Sequence, residues 1–135
     1  MTQTKQLLGL DVGAARIGVA VADSGVRIAI PHGVVEVNGN EIEALARLVI
    51  DNRIDTIVIG YPRNQSGEPT AQTAFVEEFA LKLRDFDADI VFQDESLTSV
   101  MAENRLKSRS TGYDKADIDS EAAAIILQDY MEQYL

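Results

Sequence analysis

The apolar residues of this chain follow two spacings, one typical of strands and one of helices. Short, mostly apolar runs that lead into glycine, within residues 7–13 and 56–60, are typical of strands buried on both faces. At residues 16–22, Ile and Val alternate with Gly and Ala, which predicts a strand whose small-residue face lies close against another element. Residues 28–37, interrupted by a proline and a glycine, predict a third, less regular strand.

Helical spacing begins after the third predicted strand. Asn40 followed by Glu43 is a capping-type start, and apolar residues then keep helical spacing as far as Asn52. Thr70 can cap a second helix. The predicted helices span residues 40–52, 70–84, 98–107 and 119–134. The second helix is expected to bury Phe75, Val76, Phe79 and Leu83.

With a fifth strand at residues 90–92, the predicted order is βββ α β α β α α. Three strands separated by short connections imply an antiparallel meander, whereas strands that alternate with helices imply parallel pairing. We therefore expect a single α/β domain over residues 1–135, with a five-stranded mixed sheet flanked by helices.

Composition narrows the chemistry that this domain can perform. The chain has no cysteine and one histidine, which excludes disulfide frameworks and Cys/His zinc sites. Its 22 Asp and Glu residues leave oxygen-ligated metals such as Mg²⁺ open. No segment approaches a membrane span of about 20 apolar residues, so we expect a soluble, cytoplasmic protein without a membrane partner. The net charge of −10 argues against general affinity for nucleic acid.

Three carboxylates stand where the predicted elements end or begin. Asp11 follows the first apolar run, Glu95 follows the fifth strand, and Asp119 starts the last helix. Ligands bind beyond the carboxyl ends of strands in open α/β sheets, so the three could converge at one sheet edge. Two Mg²⁺ ions would turn such a cluster into a clamp for a phosphodiester. The alternatives are a turn at Asp11 and an N-cap at Asp119.

The last helix carries two acids on different faces. Asp119 shares a stripe with Ala122, Ala123 and Ile126 and is predicted to point inward. Glu121 lies roughly 200° further round the helix and is predicted to face water.

Four segments of the chain carry a family resemblance. They are LGLDVG at 8–13 with RIGVAVAD at 16–23, GYPRNQSG at 60–67, DESLT at 94–98, and IDSEAAAIILQDY at 118–130. In this order they resemble the YqgF family, also called RuvX, of the ribonuclease H-like superfamily. The resemblance implies a ribonuclease H-like fold and an Mg²⁺-dependent nuclease in which Mn²⁺ can substitute. The family is assigned to trimming the 5′ end of the small-subunit ribosomal RNA precursor and, by older analogy, to cutting four-way DNA junctions.

The resemblance also implies roles for individual residues. Asp11, Glu95 and Asp119 match the family's acidic triad and would be the catalytic metal ligands. Arg16 could reach a substrate phosphate. The remaining candidate substrate contacts are Arg63, Asn64, Arg105, Lys107, Arg109 and Lys115. The alternative for the loop residues Arg63 and Asn64, and for the basic strip at residues 105–115, is a solvated surface without a ligand.

Two features of the chain depart from the family, and two other readings stay open. Members usually carry an arginine after the catalytic glutamate, where this chain has Ser96, and a more basic stretch before the final helix.

A sugar-kinase or actin-type ATPase also begins with a similar phosphate motif, but it needs a second domain. A non-catalytic binding module of the same fold is the other alternative. We expect structured RNA as the partner ahead of a DNA junction, and the sequence leaves monomer and homodimer open.

Overall fold

A five-stranded mixed sheet forms the centre of the protein. The computed structural model describes residues 4–62, 70–95, 98–108 and 112–135. The strands are β1 (Gln6–Val12), β2 (Arg16–Asp23), β3 (Ile30–Glu36), β4 (Thr56–Pro62) and β5 (Asp89–Glu95). The helices are α1 (Glu41–Asp51), α2 (Ala71–Lys82), α3 (Thr98–Lys107) and α4 (Lys115–Tyr134).

The sheet joins an antiparallel half to a parallel half. Its strand order is β3-β2-β1-β4-β5. Strands β1, β2 and β3 form an antiparallel meander, whereas β4 runs parallel to both β1 and β5. The predicted element order and the predicted mixed α/β sheet are therefore confirmed.

Helices cover both faces of the sheet because successive side chains of a strand point to opposite faces. Leu8 and Leu10 of β1 belong to a core shared with α1 and α2, whereas Leu7 belongs to a second core shared with α4. The second core consists of Leu7, Ala20, Ala22, Val58, Ala123, Ala124, Ile126, Leu127 and Met131. None of the helices within the described residues is long and apolar enough to cross a membrane.

Small residues bring α4 unusually close to the sheet. A Cβ built on Gly9 would lie 2.9 Å from the Cβ of Leu127, and one built on Gly18 would lie 2.0 Å from the carbonyl oxygen of Asp119. Any larger residue at either position would collide with the helix. The predicted close approach on the small-residue face of β2 is thus confirmed, and α4 is the element that approaches.

The last helix begins four residues before its predicted start at Asp119. Its N-cap is Asp114, whose carboxylate accepts a hydrogen bond from the backbone N–H of Asp117 at 2.9 Å. Asp117 in turn accepts one from the N–H of Asp114 at 3.0 Å. This reciprocal pair satisfies two free donors of the helix terminus. Asp119 consequently lies in the second turn, which excludes the N-cap alternative.

The first two helices differ from prediction in detail. Thr70 caps α2 as predicted, with Thr73 completing a capping box. Phe75 is 38% exposed, so its predicted burial is wrong. The buried stripe runs from Thr73 through Val76, and Phe75 lies about 100° to one side of Val76. Asn40 precedes α1 but makes no side-chain cap.

We expect Gly18→Ala to destabilise the protein by about 2 kcal/mol or more, because overpacking against backbone cannot be relieved by a side-chain rotation. Urea unfolding of wild type and variant measures the change. Gly112→Ala is the matched control, since a Cβ there meets no described residue within 4 Å, and it should stay within about 0.5 kcal/mol of wild type. Equal stabilities for the two variants would contradict the close approach of α4.

Candidate active site

Asp11 lies next to last in β1, on the face covered by α4. The neighbouring residues on that face, Leu7 and Gly9, pack against α4, and alternation along the strand places Asp11 with them. Asp11 pairs in register with Gly18 of β2, and Gly18 in turn abuts the backbone of Asp119. The glycine thereby brings Asp11 and Asp119 together at the same end of the sheet.

Glu95 reaches the same face from the other side of β4. It is the last residue of β5 and pairs with Pro62. A Cβ built on Gly60 would lie 2.6 Å from the Cδ1 of Ile126 and 2.9 Å from the Oε2 of Glu95, so both side chains lie over this glycine. Because β4 separates β1 from β5, a side chain at position 60 would fill the space between Asp11 and Glu95. In the sequence, Gly60 stands out only as part of the motif at residues 60–67 and as the glycine that ends a buried apolar run.

The three acids influence one another electrostatically. The pKa of Asp11 is raised to about 7, first by burial and then by the negative charges of Glu95 and Asp119. Both effects oppose ionisation, since burial removes water and like charges repel. A cation at this position would reverse that balance.

The donor atoms suit one class of metal. All three side chains offer carboxylate oxygens, which are the ligands that Mg²⁺ and Mn²⁺ prefer. Within the described ranges, no three His, Cys, Asp or Glu side chains are arranged closely enough to hold a metal ion. The residues therefore fit a hard cation in chemistry and charge, while the side chains as they stand do not enclose one.

Arg16 holds one of these acids in an ion pair. Its Nε donates a hydrogen bond to the Oδ2 of Asp119 at 2.8 Å, and each side chain retains about a quarter of its exposure. The contact with Asp119 is also the main reason that the pKa of Arg16 is raised. Arg16, predicted to bind phosphate, therefore lies beside the acids and contacts one of them.

Glu121 is buried, so its predicted exposure to water is wrong. Helix α3 packs on the side of α4 opposite the sheet, where Ala102 contacts the apolar residues Ala122 and Ile125. The Glu121 carboxylate accepts a hydrogen bond from Nη1 of Arg105 at 3.0 Å. Helical spacing alone could not reveal this second packed side of α4.

The other predicted substrate contacts are distributed over separate elements. Arg105 pairs with Glu121, and Lys107 lies 3.5 Å from Glu103 in an exposed ion pair on α3. Lys115 is the exposed first residue of α4. Arg63, Asn64 and Arg109 lie outside the described residues.

Comparison of the sequence with known families identifies one that covers nearly the whole chain. Residues 5–133 match the model of the RuvX family, described as Holliday junction resolvase. A Chloroflexus aurantiacus protein named "Putative pre-16S rRNA nuclease" is 39% identical, over 93% of this chain and 86% of the relative. A Synechocystis protein of the same name is 37% identical, over 98% and 90%.

Solved structures show the same fold at low sequence identity. Thermus thermophilus RuvC in complex with a Holliday junction substrate superposes with a TM-score of 0.57 and 15% identity, covering 96% of each chain. The fowlpox virus resolvase bound to Holliday junction DNA gives 0.53 and 13%, covering 96% of this chain and 99% of its own. The predicted ribonuclease H-like fold thus agrees with a RuvC-like architecture.

The raised pKa of Asp11 makes the stability of the metal-free protein depend on pH. The folded-state pKa of about 7 exceeds the ordinary value of 3.8, so the folded state binds the proton more tightly than the unfolded state does. The resulting stabilisation is complete below about pH 4 and is lost as pH rises through 7.

Asp11→Asn replaces this carboxyl with a neutral group and removes the dependence. We expect urea unfolding in EDTA to show wild type losing stability relative to Asp11→Asn between pH 4 and 7, with a slope of up to about 1.4 kcal/mol per pH unit. Above pH 7.5 the difference should level off. Parallel stability profiles over the whole range would contradict the raised pKa.

Proposed function

The chain belongs to the RuvX family, and on that premise we propose that it is a metal-dependent nuclease acting in 5′-end processing of pre-16S ribosomal RNA. The names of the curated relatives support the substrate. The observation that carries the proposal is the convergence of acids around Asp11, whose pKa responds to both Glu95 and Asp119. Since ribosomal RNA precursors are the proposed substrate, we place the activity in the cytoplasm.

Asp11, Glu95 and Asp119 are the proposed ligands of Mg²⁺, for which Mn²⁺ can substitute. Bound to such a site, divalent ions supply an activated water and stabilise the negative charge of the leaving oxygen. The protein contributes the oxygen donors, and Gly60 contributes the space between two of them. The partly buried position of Asp11 strengthens its attraction for a cation because water screens it less.

No protein nucleophile is required for this reaction. The chain has no cysteine, and His32 lines a groove beside Ala44 and Leu48 of α1, on the face of the sheet opposite α4. Hydrolysis by a water molecule positioned between carboxylates therefore fits the residues present.

Basic side chains are proposed to bind the substrate backbone. Arg16 is proposed to contact a phosphate beside the scissile bond, and Lys115 lies one turn before Asp119 on α4. The other proposed contacts are Arg63, Asn64, Arg105, Lys107 and Arg109. Cations that contact the substrate would offset the overall charge of −10 where the phosphates lie.

Resolution of four-way DNA junctions is the second candidate function. The description of the family and the fold shared with junction-bound RuvC favour it. A resolvase cuts two strands and so needs two active sites, which requires a dimer of this chain. Light scattering of the protein with and without a junction distinguishes resolution from RNA trimming, because trimming needs only one active site.

We expect metal-dependent cleavage of end-labelled RNA in Mg²⁺ or Mn²⁺, with no product in EDTA. Asp11→Asn, Glu95→Gln and Asp119→Asn should each reduce the rate by at least about 100-fold, because each removes a proposed ligand. Asp87→Asn is the matched control. It makes the same chemical change on an exposed residue before β5, at the opposite end of the sheet, and should cleave like wild type.

Single-stranded DNA and a four-way junction are tested in parallel. A preference for the junction would replace RNA processing by resolution as the function. Folded wild-type protein that cleaves none of the substrates would overturn the nuclease proposal in favour of a binding module.

Metal binding should also stabilise the protein. A ligand at 100 times its dissociation constant adds about 2.7 kcal/mol, which raises the melting temperature by on the order of 10 °C. Gly60→Ala should lose most of this Mg²⁺-induced rise, because the new Cβ would occupy the space of the Glu95 carboxylate.

Gly112→Ala is the control for the glycine substitution, because its Cβ has open space, and it should keep the full rise. Differential scanning fluorimetry with and without Mg²⁺ measures both variants. An undiminished rise in Gly60→Ala would show that the space over Gly60 is not part of the metal site.

A further inference from the structure

We propose that Arg16 occupies Asp119 in the metal-free protein and leaves it when a metal binds, so that one side chain couples metal binding to phosphate binding. This inference rests on the proposed function. It assigns to Arg16 two partners that it contacts in turn, an internal carboxylate and a substrate phosphate. Arg16 is then a positioning residue for Asp119 before the metal arrives.

The backbone places the two side chains within reach of each other. Arg16 and Gly18 lie on the same face of β2 because they are two residues apart. Gly18 contacts the backbone of Asp119, and Arg16 therefore meets the Asp119 side chain, at 2.8 Å between Nε and Oδ2. The pair joins the start of β2 to the second turn of α4, 103 residues apart in sequence.

The ion pair and a metal compete for the same carboxylate. An Arg–carboxylate hydrogen bond is directional and charge-assisted, so an oxygen that accepts it is a poorer ligand for a cation. Coordination of a metal through the Oδ2 of Asp119 requires this contact to loosen.

A released Arg16 would remain at the site. Its Cα is fixed by pairing with Glu36 on β3, and the charges of Glu36 and Asp114 also favour the guanidinium there. Those acids keep a cation in place without the direct bond that Asp119 makes. A phosphate entering beside the metal then offers Arg16 a charged acceptor in place of the Oδ2 of Asp119.

Linkage makes the coupling reciprocal. If metal frees Arg16 for phosphate, then phosphate that captures Arg16 must tighten metal binding by the same factor. A metal-free enzyme of this kind binds nucleic acid weakly even though Arg16 is present, because the arginine is already engaged.

The first test follows the Arg16 side chain directly by NMR of its Nε–H group during titration with Mg²⁺ alone. The signal is assigned by its absence in Arg16→Lys. We expect it to move, with the same Mg²⁺ dependence as the melting temperature, toward the position of Arg47, whose side chain is 77% exposed. Asp11→Asn, which lacks a proposed metal ligand, should leave the signal unmoved at the same Mg²⁺ concentration.

The outcomes separate this inference from the proposed function. If Mg²⁺ raises the melting temperature but the Arg16 signal stays in place, the metal site stands and the exchange of partners is overturned. If Mg²⁺ changes neither, the proposed metal site fails and the inference fails with it.

The second test is a double-mutant cycle in EDTA, with binding of a fluorescently labelled single-stranded RNA as the readout. Asp119→Asn frees Arg16 and should tighten binding by roughly tenfold. Arg16→Gln alone should weaken binding by a smaller factor than Asp119→Asn tightens it, because the arginine is engaged in the metal-free wild type and only its charge is lost.

The double variant distinguishes release of Arg16 from a simple loss of negative charge. In the R16Q background, we expect D119N to tighten binding far less than tenfold, because only a negative charge is removed and no arginine is released. A tenfold gain from D119N in both backgrounds would be a general charge effect and would overturn the inference.

Discussion

The close approach of α4 to the glycine and alanine face of the sheet is the constraint on which the site depends. Gly18 lets the backbone of Asp119 rest directly on β2, and Gly9 lets Leu127 rest on β1. The same helix packs on α3 through its other side, so it is held from two directions. Core packing and the placement of the acids are thus one structural feature.

This packing creates an electrostatic cost that local cations offset. Asp11 is partly buried near two further acids, and desolvation together with their negative charges raises its pKa to about 7. Arg16 balances Asp119, and Arg105 balances the buried Glu121. These pairs explain how a chain with a net charge of −10 keeps acids in its interior. The repulsion that remains acts on Asp11, where a divalent cation would relieve it.

The candidate site was partly predictable from sequence. Asp11 and Glu95 follow apolar runs, and the carboxyl ends of parallel strands meet at one edge, so their neighbourhood follows from local pattern. Glu121 was wrongly predicted to face water because helical periodicity describes one buried stripe, whereas α4 is covered by both the sheet and α3. The role of Gly60 could not be predicted, because a glycine matters there only through the side chains that occupy the space above it, which include Glu95.

The sequence by itself determined the order of the elements, the mixed sheet and the small-residue face of β2, because these follow from periodicity, capping and side-chain volume over a few neighbouring residues. The start of α4 was predicted less well. The helix is capped by Asp114, through its reciprocal hydrogen bonds with Asp117, and not by Asp119. Only the tertiary structure decided which charges meet. The pairing of Arg16 with Asp119 and of Arg105 with Glu121 joins residues 103 and 16 positions apart. Such contacts are set by the packing of whole elements, and no local pattern encodes them.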